Sequence, residues 1–546
     1  MTRGPVTLAA LAAALVLALA PTAQASGPPL DIPPPGHVAT RASPRVSAAA
    51  NDRVVVRALR NGGVDAATVT ADLRLLRRVR NLAHRTRGTA GAELAAVVAT
   101  TVRIARGSGF TPQRAREAFL ELSVNASVLP KRVPKVNQRL RIQSLTFQRY
   151  AGQGLRIQPL ASWWFARDTA RHGDVAATTR MLEQLLSLSI PHAGGGLTTE
   201  YLFPFGGGTP PWSSPMAHAL AMDALGRGFR LTGNDRYRVA ALEFAKSVAA
   251  TDVAPGSAVW FPIYPFAPGQ RVLNADLQVI LGLDQVKKLA GGEGYADLAT
   301  RAADTVKDRL PRYDTGSWSR YDESREAPLE YHDLMTDQLR QLGRERRDSV
   351  FTDYANLFAD YRVEPPAFDI LPGGAKLAYP LPRDGFRDAF TVRFTLTKLS
   401  RVTVTWRRNG KRVTSRPLGL LAGGTHTIRW APGKTAPGFY TIGFAGKDVA
   451  GNFGSVTDDR PYEIARDRTP PTIVSVRYAG GRLTWRLKDG GTPWVTVAIK
   501  VGRKTTTLRK RPLAGSARLK RAPSLVTFRD SSGNRVRWFR IVLPAT

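Results

Sequence analysis

Between Ile157 and Arg362 one pattern recurs: an apolar helix runs into a polar, mostly Gly-rich turn and returns as a second helix. Leu225 to Leu231 leads into Thr232-Gly233-Asn234-Asp235, after which Tyr237, Ala240, Ala241 and Phe244 mark one face at three and four spacing. Leu281 to Ala290 leads into Gly291-Gly292-Glu293-Gly294, followed by Tyr295, Leu298, Ala299 and Ala302, with Tyr237 and Tyr295 standing 58 residues apart. Trp163 to Gly173 with Met181 and Leu185, and Leu334 to Gly343 with Phe351, Tyr354 and Leu357, give two further pairs. Such hairpins bury their apolar faces only by stacking on one another. The pattern predicts an all-α (α/α) toroid, complete or incomplete, over residues 157–365.

The flanking sequence has different periods. Residues 52–156 are expected to form an N-terminal helical segment, with apolar residues at helical spacing in Leu73, Leu76 and Val79 and in Leu94, Val97 and Val98, and with Thr111-Pro112 opening a further helix. Before it, the Pro-, Ala- and Ser-rich residues 26–51 are expected to be a disordered leader. After Pro365-Pro366 the period becomes two, as in Val392-Arg393-Phe394-Thr395-Leu396 and Val495-Thr496-Val497-Ala498-Ile499. An Asp-x-x-Gly-Asn turn occurs at Asp448 to Asn452 and again 82 residues later at Asp530 to Asn534. Two copies of one all-β, immunoglobulin-like sandwich are expected, at 376–466 and 467–546. The turns are read as hairpins with Gly and Asn at positive φ in preference to calcium loops.

Arg3, the apolar run Val6 to Ala20 and Ala23-Gln24-Ala25 read as a secretory signal peptide over 1–25, so the protein is expected outside the cell or at the cell wall. With no cysteine, thiol catalysis, disulfides and thiolate-ligated zinc are excluded. The formal charge of +36 requires a polyanionic partner. From Lys376 onward there are 34 Lys and Arg against 9 Asp and Glu, which places a surplus of 25 in the β-modules. For an exported protein the expected partners are an anionic polysaccharide and an anionic cell-wall polymer, with no nucleic acid and no membrane span. Oligomeric state is not legible.

Polar and aromatic residues concentrate in Tyr264-Pro265, in Tyr313-Asp314-Thr315-Gly316-Ser317-Trp318-Ser319-Arg320-Tyr321-Asp322 and in Tyr331-His332. The Asp-Thr-Gly-Ser run occurs once and in a helical context, whereas an aspartic protease needs two such turns. None of the seven histidines pairs with another at metal-ligand spacing, so neither metal nor other cofactor is expected. Taken alone, the tyrosines are equally well half-buried aromatics with a polar tip, and His332 a hydrogen-bonded residue at a helix start.

Several of these stretches, in this order, resemble the glucuronyl C5-epimerases. Trp212-Ser213-Ser214-Pro215-Met216-Ala217 is similar to a family segment, as are Tyr264-Pro265 with Val272-Leu273-Asn274, Leu310 to Asp322, and Tyr331-His332 through Gln338-Leu339. The resemblance covers about Leu160 to Tyr361. It implies an isomerase acting on glucuronate in heparan-type chains, with Tyr264, Tyr321 and Tyr331 as proton-transfer groups and Trp212, Asn274 and His332 in the substrate site. Ile263 stands where the animal enzymes carry an acidic residue, and the spacer from Tyr321 to Tyr331 is shorter.

Removing the C5 proton of a uronate, α to a carboxylate, builds a dianion unless a cation neutralises the carboxylate. Arg271, Arg320 and Arg325 are the nearest candidates in sequence. A tyrosine of pKa about 10 needs a neighbouring cation to act as base at neutral pH. Two alternatives remain open at this level: a uronate polysaccharide lyase, which removes the same proton and then expels the C4 substituent, and a non-catalytic wall- or polysaccharide-binding protein.

Overall fold

The structure is a computed structural model and describes residues 47–251 and 258–539. The expected signal peptide and most of the expected leader lie outside these residues. Two units are distinguished: residues up to Asp314 with Arg320–Phe358, and Thr315–Ser319 with the chain from Ala359 onward.

The first unit begins with α1 (Ala48–Asn61), α2 (Ala66–Arg85), α3 (Gly88–Arg106) and α4 (Pro112–Val128). The first helix starts before Asp52 because the Ser47 side chain accepts from Ala50 N and caps it. Thr111 caps α4 in the same way, with Pro112 in its first turn. Val55, Leu59, Leu76, Val79, Leu94 and Phe119 form the shared core. The expectation of a purely helical segment to residue 156 is corrected by a three-stranded antiparallel sheet of Arg139–Ile142, Leu145–Tyr150 and Gly154–Ile157. All six residues of its middle strand are buried, Thr146, Gln148 and Arg149 among them. Buried ion pairs fasten the sheet to the helices: Arg156 Nη1 donates to Glu121 at 2.8 Å and Arg149 Nη2 to Glu93 at 2.7 Å.

Four helical hairpins follow: α5 (Pro159–Arg171) with α6 (Val175–Leu186), α7 (Pro215–Thr232) with α8 (Asp235–Ala249), α9 (Leu273–Val286) with α10 (Ala296–Arg309), and α11 (Leu329–Arg346) with α12 (Ser349–Val363). The first helix of each packs on the first of the next, giving a row α5, α7, α9, α11. Gly233, at φ +70°, ends α7, and Asn234 caps α8 through Arg236 N. Every residue of α9 is buried. A Cβ at its Gly282 would lie 2.8 Å from Ala219 O, so glycine is what lets α9 approach the α7 backbone this closely. Among the described residues no helix is long and apolar enough to cross a membrane.

The second unit holds two modules of paired sheets. In the first, Gly424–Trp430, Phe390–Leu396 and Phe368–Ile370 form one sheet, and Lys411–Leu421, Ser400–Arg408, Gly438–Asp448, Phe453–Ile464 and Leu377–Ala378 the other. In the second module Ala514–Arg518, Arg482–Lys488 and Thr472–Ala479 repeat the first order, and Lys504–Pro512, Trp494–Val501, Leu525–Arg529 and Arg535–Phe539 the second. The first module starts at Phe368, earlier than the expected Lys376, because Phe368–Ile370 pairs with Phe394–Leu396.

Candidate functional site

The long connections from one hairpin to the next carry most of the candidate polar and aromatic residues. Arg320–Asp322 pairs antiparallel with Arg325–Glu326 ahead of α11, and an isolated bridge from Val272 to Asp322 ties this ribbon to the start of α9. Tyr321, in the ribbon, meets Tyr331, in the first turn of α11, edge to face with ring centroids 4.7 Å apart and planes at 75°. Both rings are buried, and the Arg325 guanidinium lies over Tyr321 at 5.3 Å from its centroid.

Arg325 is engaged by a carboxylate. Its Nε and Nη2 donate to Asp322 Oδ2 at 2.9 and 2.6 Å, and Asp322 Oδ1 accepts from Ser324 and from Arg325 N. Burial pushes the Asp322 carboxyl up, but the donors from Arg325 and Ser324 outweigh it and hold it below the usual carboxylate range.

The positive surplus lies beside this pair. Arg309 Nη1 is 2.6 Å, Arg312 Nη1 3.6 Å and Arg271 Nη1 3.7 Å from the one Glu323 carboxylate, leaving three guanidiniums on a single negative charge. Arg320 Nη1 donates to the carbonyls of Arg312 and Glu323. Of the three arginines proposed from sequence, Arg271 and Arg320 therefore belong to this cluster, whereas Arg325 is matched to Asp322. Arg309 and Arg312 were missed. Their signal was their place at the end of α10, immediately around the Leu310-Pro311 turn.

Tyr264 has an aromatic surround. It packs with Phe205, Trp212 and Phe266 at centroid distances of 5.6, 5.9 and 5.5 Å. Trp212 stacks on Tyr201 at 4.0 Å and donates its Nε1–H to Phe203 O. Asn274 is buried in α9, with Nδ2 3.7 Å from Met216 Sδ and no hydrogen-bond partner for Oδ1. His332 is fully buried, with Nε2 2.8 Å from Phe358 O.

A further acid, Asp276, was not singled out by sequence. Its Oδ1 accepts from Phe261 N at 2.9 Å, while Oδ2 is buried without a partner. Burial raises its pKa well above the usual carboxylate value, against weaker opposing effects of the Phe261 amide, Arg271 and Arg309. Its signal was a carboxylate in the first turn of a helix whose every residue is buried. Tyr313 donates to Arg271 O at 3.1 Å, and burial, then Asp276, drive its pKa far upward, which makes it unsuited to be a base.

The polar and aromatic connections on a row of helical hairpins form the candidate site. Residues 198–360 match the family model described as "D-glucuronyl C5-epimerase C-terminus". A D-glucuronyl C5-epimerase from Caenorhabditis elegans is 25% identical over 178 residues, covering 28% of this chain and 29% of that protein. The chain thus matches under a third of that relative's length. Two solved cellobiose 2-epimerases are more distant. That from Spirochaeta thermophila DSM 6192 is 17% identical, covers 45% of this chain and 68% of its own, and has a TM-score of 0.31. The Bacillus thermoamylovorans B4167 protein is 11% identical, covers 50% and 74%, and has a TM-score of 0.30.

Proposed function

We propose that this protein is an exported carbohydrate epimerase that inverts C5 of glucuronate units in an anionic polysaccharide. The observation that carries the reading is the Tyr321–Tyr331 pair, 4.7 Å between centroids, inside the segment that matches the epimerase family. Rings in contact leave no slot for a sugar between them, so the substrate meets their hydroxyl ends. The Arg271, Arg309 and Arg312 cluster supplies the charge that neutralises the uronate carboxylate, and α-deprotonation then builds one negative charge in place of two. One tyrosinate accepts the C5 proton, a tyrosine on the other face returns a proton, and the C–H bond re-forms inverted. Tyr331 is the first assignment, with Tyr321, whose ring it touches, on the same face and Tyr264 as the candidate for the other face. The hairpin row supports an (α/α) toroid as scaffold, and the paired β-modules support an immunoglobulin-like type that holds an anionic wall polymer.

Incubation of the full-length protein with heparosan-type chains in deuterated water tests this. Deuterium at C5, read by NMR, is the expected result. Ultraviolet absorbance from a new C4–C5 double bond would make the protein a lyase, and retention of the polymer without exchange would make it a binding protein.

A further inference from the structure

The two β-modules are copies, and the comparison between them exposes a difference in charge. In both, the Asp-x-x-Gly-Asn turn is built alike: Asn452 N donates to Asp448 Oδ1 at 2.8 Å and Asn534 N to Asp530 Oδ1 at 2.8 Å, with Gly451 at φ +96° and Gly533 at φ +98°. The Asn side chains also reach the segment that enters each module. Asn452 Nδ2 donates to Arg362 O at 3.0 Å, and Asn534 Nδ2 to Asp467 O at 3.1 Å.

In the first module this corner holds an internal cation. Lys398 lies in the connection between Phe390–Leu396 and Ser400–Arg408, and its side chain is 1% exposed. Its ammonium donates to Tyr361 O at 2.7 Å and Glu364 O at 2.6 Å, and stands 3.8 Å from Asp448 Oδ2. The equivalent connection of the second module, between Arg482–Lys488 and Trp494–Val501, opens with Asp489, and the entering segment contributes Asp467. Where the connection of the first module holds a lysine, that of the second holds an aspartate, and the entering segment brings a further carboxylate.

Carboxylate oxygens of Asp467, Asp489 and Asp530 lie within 4.8 Å of one another. Asp467 is 7% exposed, and its Oδ2, like Asp489 Oδ2, is buried without a hydrogen-bond partner. Among the described residues no Lys or Arg pairs with any of the three. Burial and mutual repulsion raise the pKa values of Asp489 and Asp530 despite hydrogen bonds from Gly491 and Asn534, as is expected of like charges facing one another.

We propose that Asp467, Asp489 and Asp530 bind a calcium ion at the junction of the two modules, in the place that the Lys398 ammonium takes in the first module. All three ligands are hard oxygens, which excludes a preference for thiolate- and imidazole-seeking metals. Three converging carboxylates suit calcium, which takes six to eight oxygen ligands at about 2.4 Å, whereas magnesium usually keeps several waters and binds through one or two carboxylates. The ion would also lock the junction. Thr492 and Ser531, from the two loops that carry Asp489 and Asp530, both donate to Asp384 of the first module. This assignment revises the expectation that the chain binds no metal. The turn itself remains a hairpin device shared by both modules, and the specificity comes from Asp467 and Asp489, which lie outside it.

The test uses the full-length protein after chelator treatment, titrated with calcium chloride by calorimetry and followed by thermal unfolding. One ion per chain is expected, with the unfolding midpoint of the β-unit raised by about 5 °C at saturation. Asp489→Asn should weaken calcium binding at least tenfold. Asp489→Lys, which transplants the lysine of the first module, should abolish the response to calcium while unfolding, without calcium, at or above the chelated parent. If that variant fails to fold, Asp489→Asn decides alone. No saturable binding, binding unchanged in the Asp489 variants, or an equal response to magnesium at the same concentration would overturn the proposal.

Discussion

Tyr321 and Tyr331 are in direct contact, and each therefore has a packing role that must be separated from a chemical one. Substituting Phe keeps the ring and removes one oxygen. Tyr331→Phe should change stability by about 1 kcal/mol or less but lower turnover about 100-fold or more. Unfolding curves and C5 deuterium exchange on the same preparation check this, and full activity in a folded variant would eliminate the mechanism. Asp276 makes a separate case. Its folded-state pKa is raised, so its stabilising contribution is complete below the unfolded value and is lost as pH climbs towards the folded one. Asp276→Asn removes that loss. Relative to the parent, the variant should gain stability steadily as denaturation is measured from pH 4 to pH 8, and a flat difference would show that Asp276 is ionised in the fold. Asp276 and the Arg309–Arg312 pair were not legible as site residues because an acid in the first turn of a helix and basic residues at a helix end are each common. Only their convergence with Glu323 and Tyr313 gives them meaning.

At the scale of elements, helical period and turn chemistry identified the hairpins. The three-stranded sheet ahead of α5 escaped because its strands are only four to six residues long. That sheet depends on ion pairs that sequence does not disclose, since Glu121 and Arg156 are 35 residues apart yet 2.8 Å from contact at 1% exposure each. Glu121→Ala would leave a guanidinium buried without its counter-charge and Ile157 N without its acceptor, at a cost of about 3–5 kcal/mol. Chemical denaturation measures it. Replacing both residues by apolar ones of similar volume should cost much less than the single change, and equal losses would contradict an electrostatic origin.

For the whole molecule, charge is divided between the units. The strands Lys411–Leu421 and Lys504–Pro512 occupy equivalent edges of their sheets and are exposed along most of their length. Lys and Arg on such edges discourage strand addition and also offer a linear array to a polyanion. Replacing Lys411, Arg412, Arg416, Lys504, Arg509 and Arg511 by Gln should abolish salt-sensitive retention on an anionic polymer and leave specific activity on a soluble substrate unchanged. A coupled loss of activity would mean that these strands take part in substrate binding.

Sequence alone determined what is periodic or local: the hairpins, the switch to period two, the duplicated turn 82 residues apart and the separation of charge. These follow from side-chain spacing and from backbone positions that only a few residues tolerate, and both are written along the chain. Tertiary structure decided what depends on distance between remote residues. It engaged Arg325 with Asp322, gathered Arg271, Arg309 and Arg312 on Glu323, packed Tyr321 on Tyr331, and brought Asp467 and Asp489 to Asp530. The physical reason is that electrostatic strength depends on separation and burial in space, and neither is set by order along the chain.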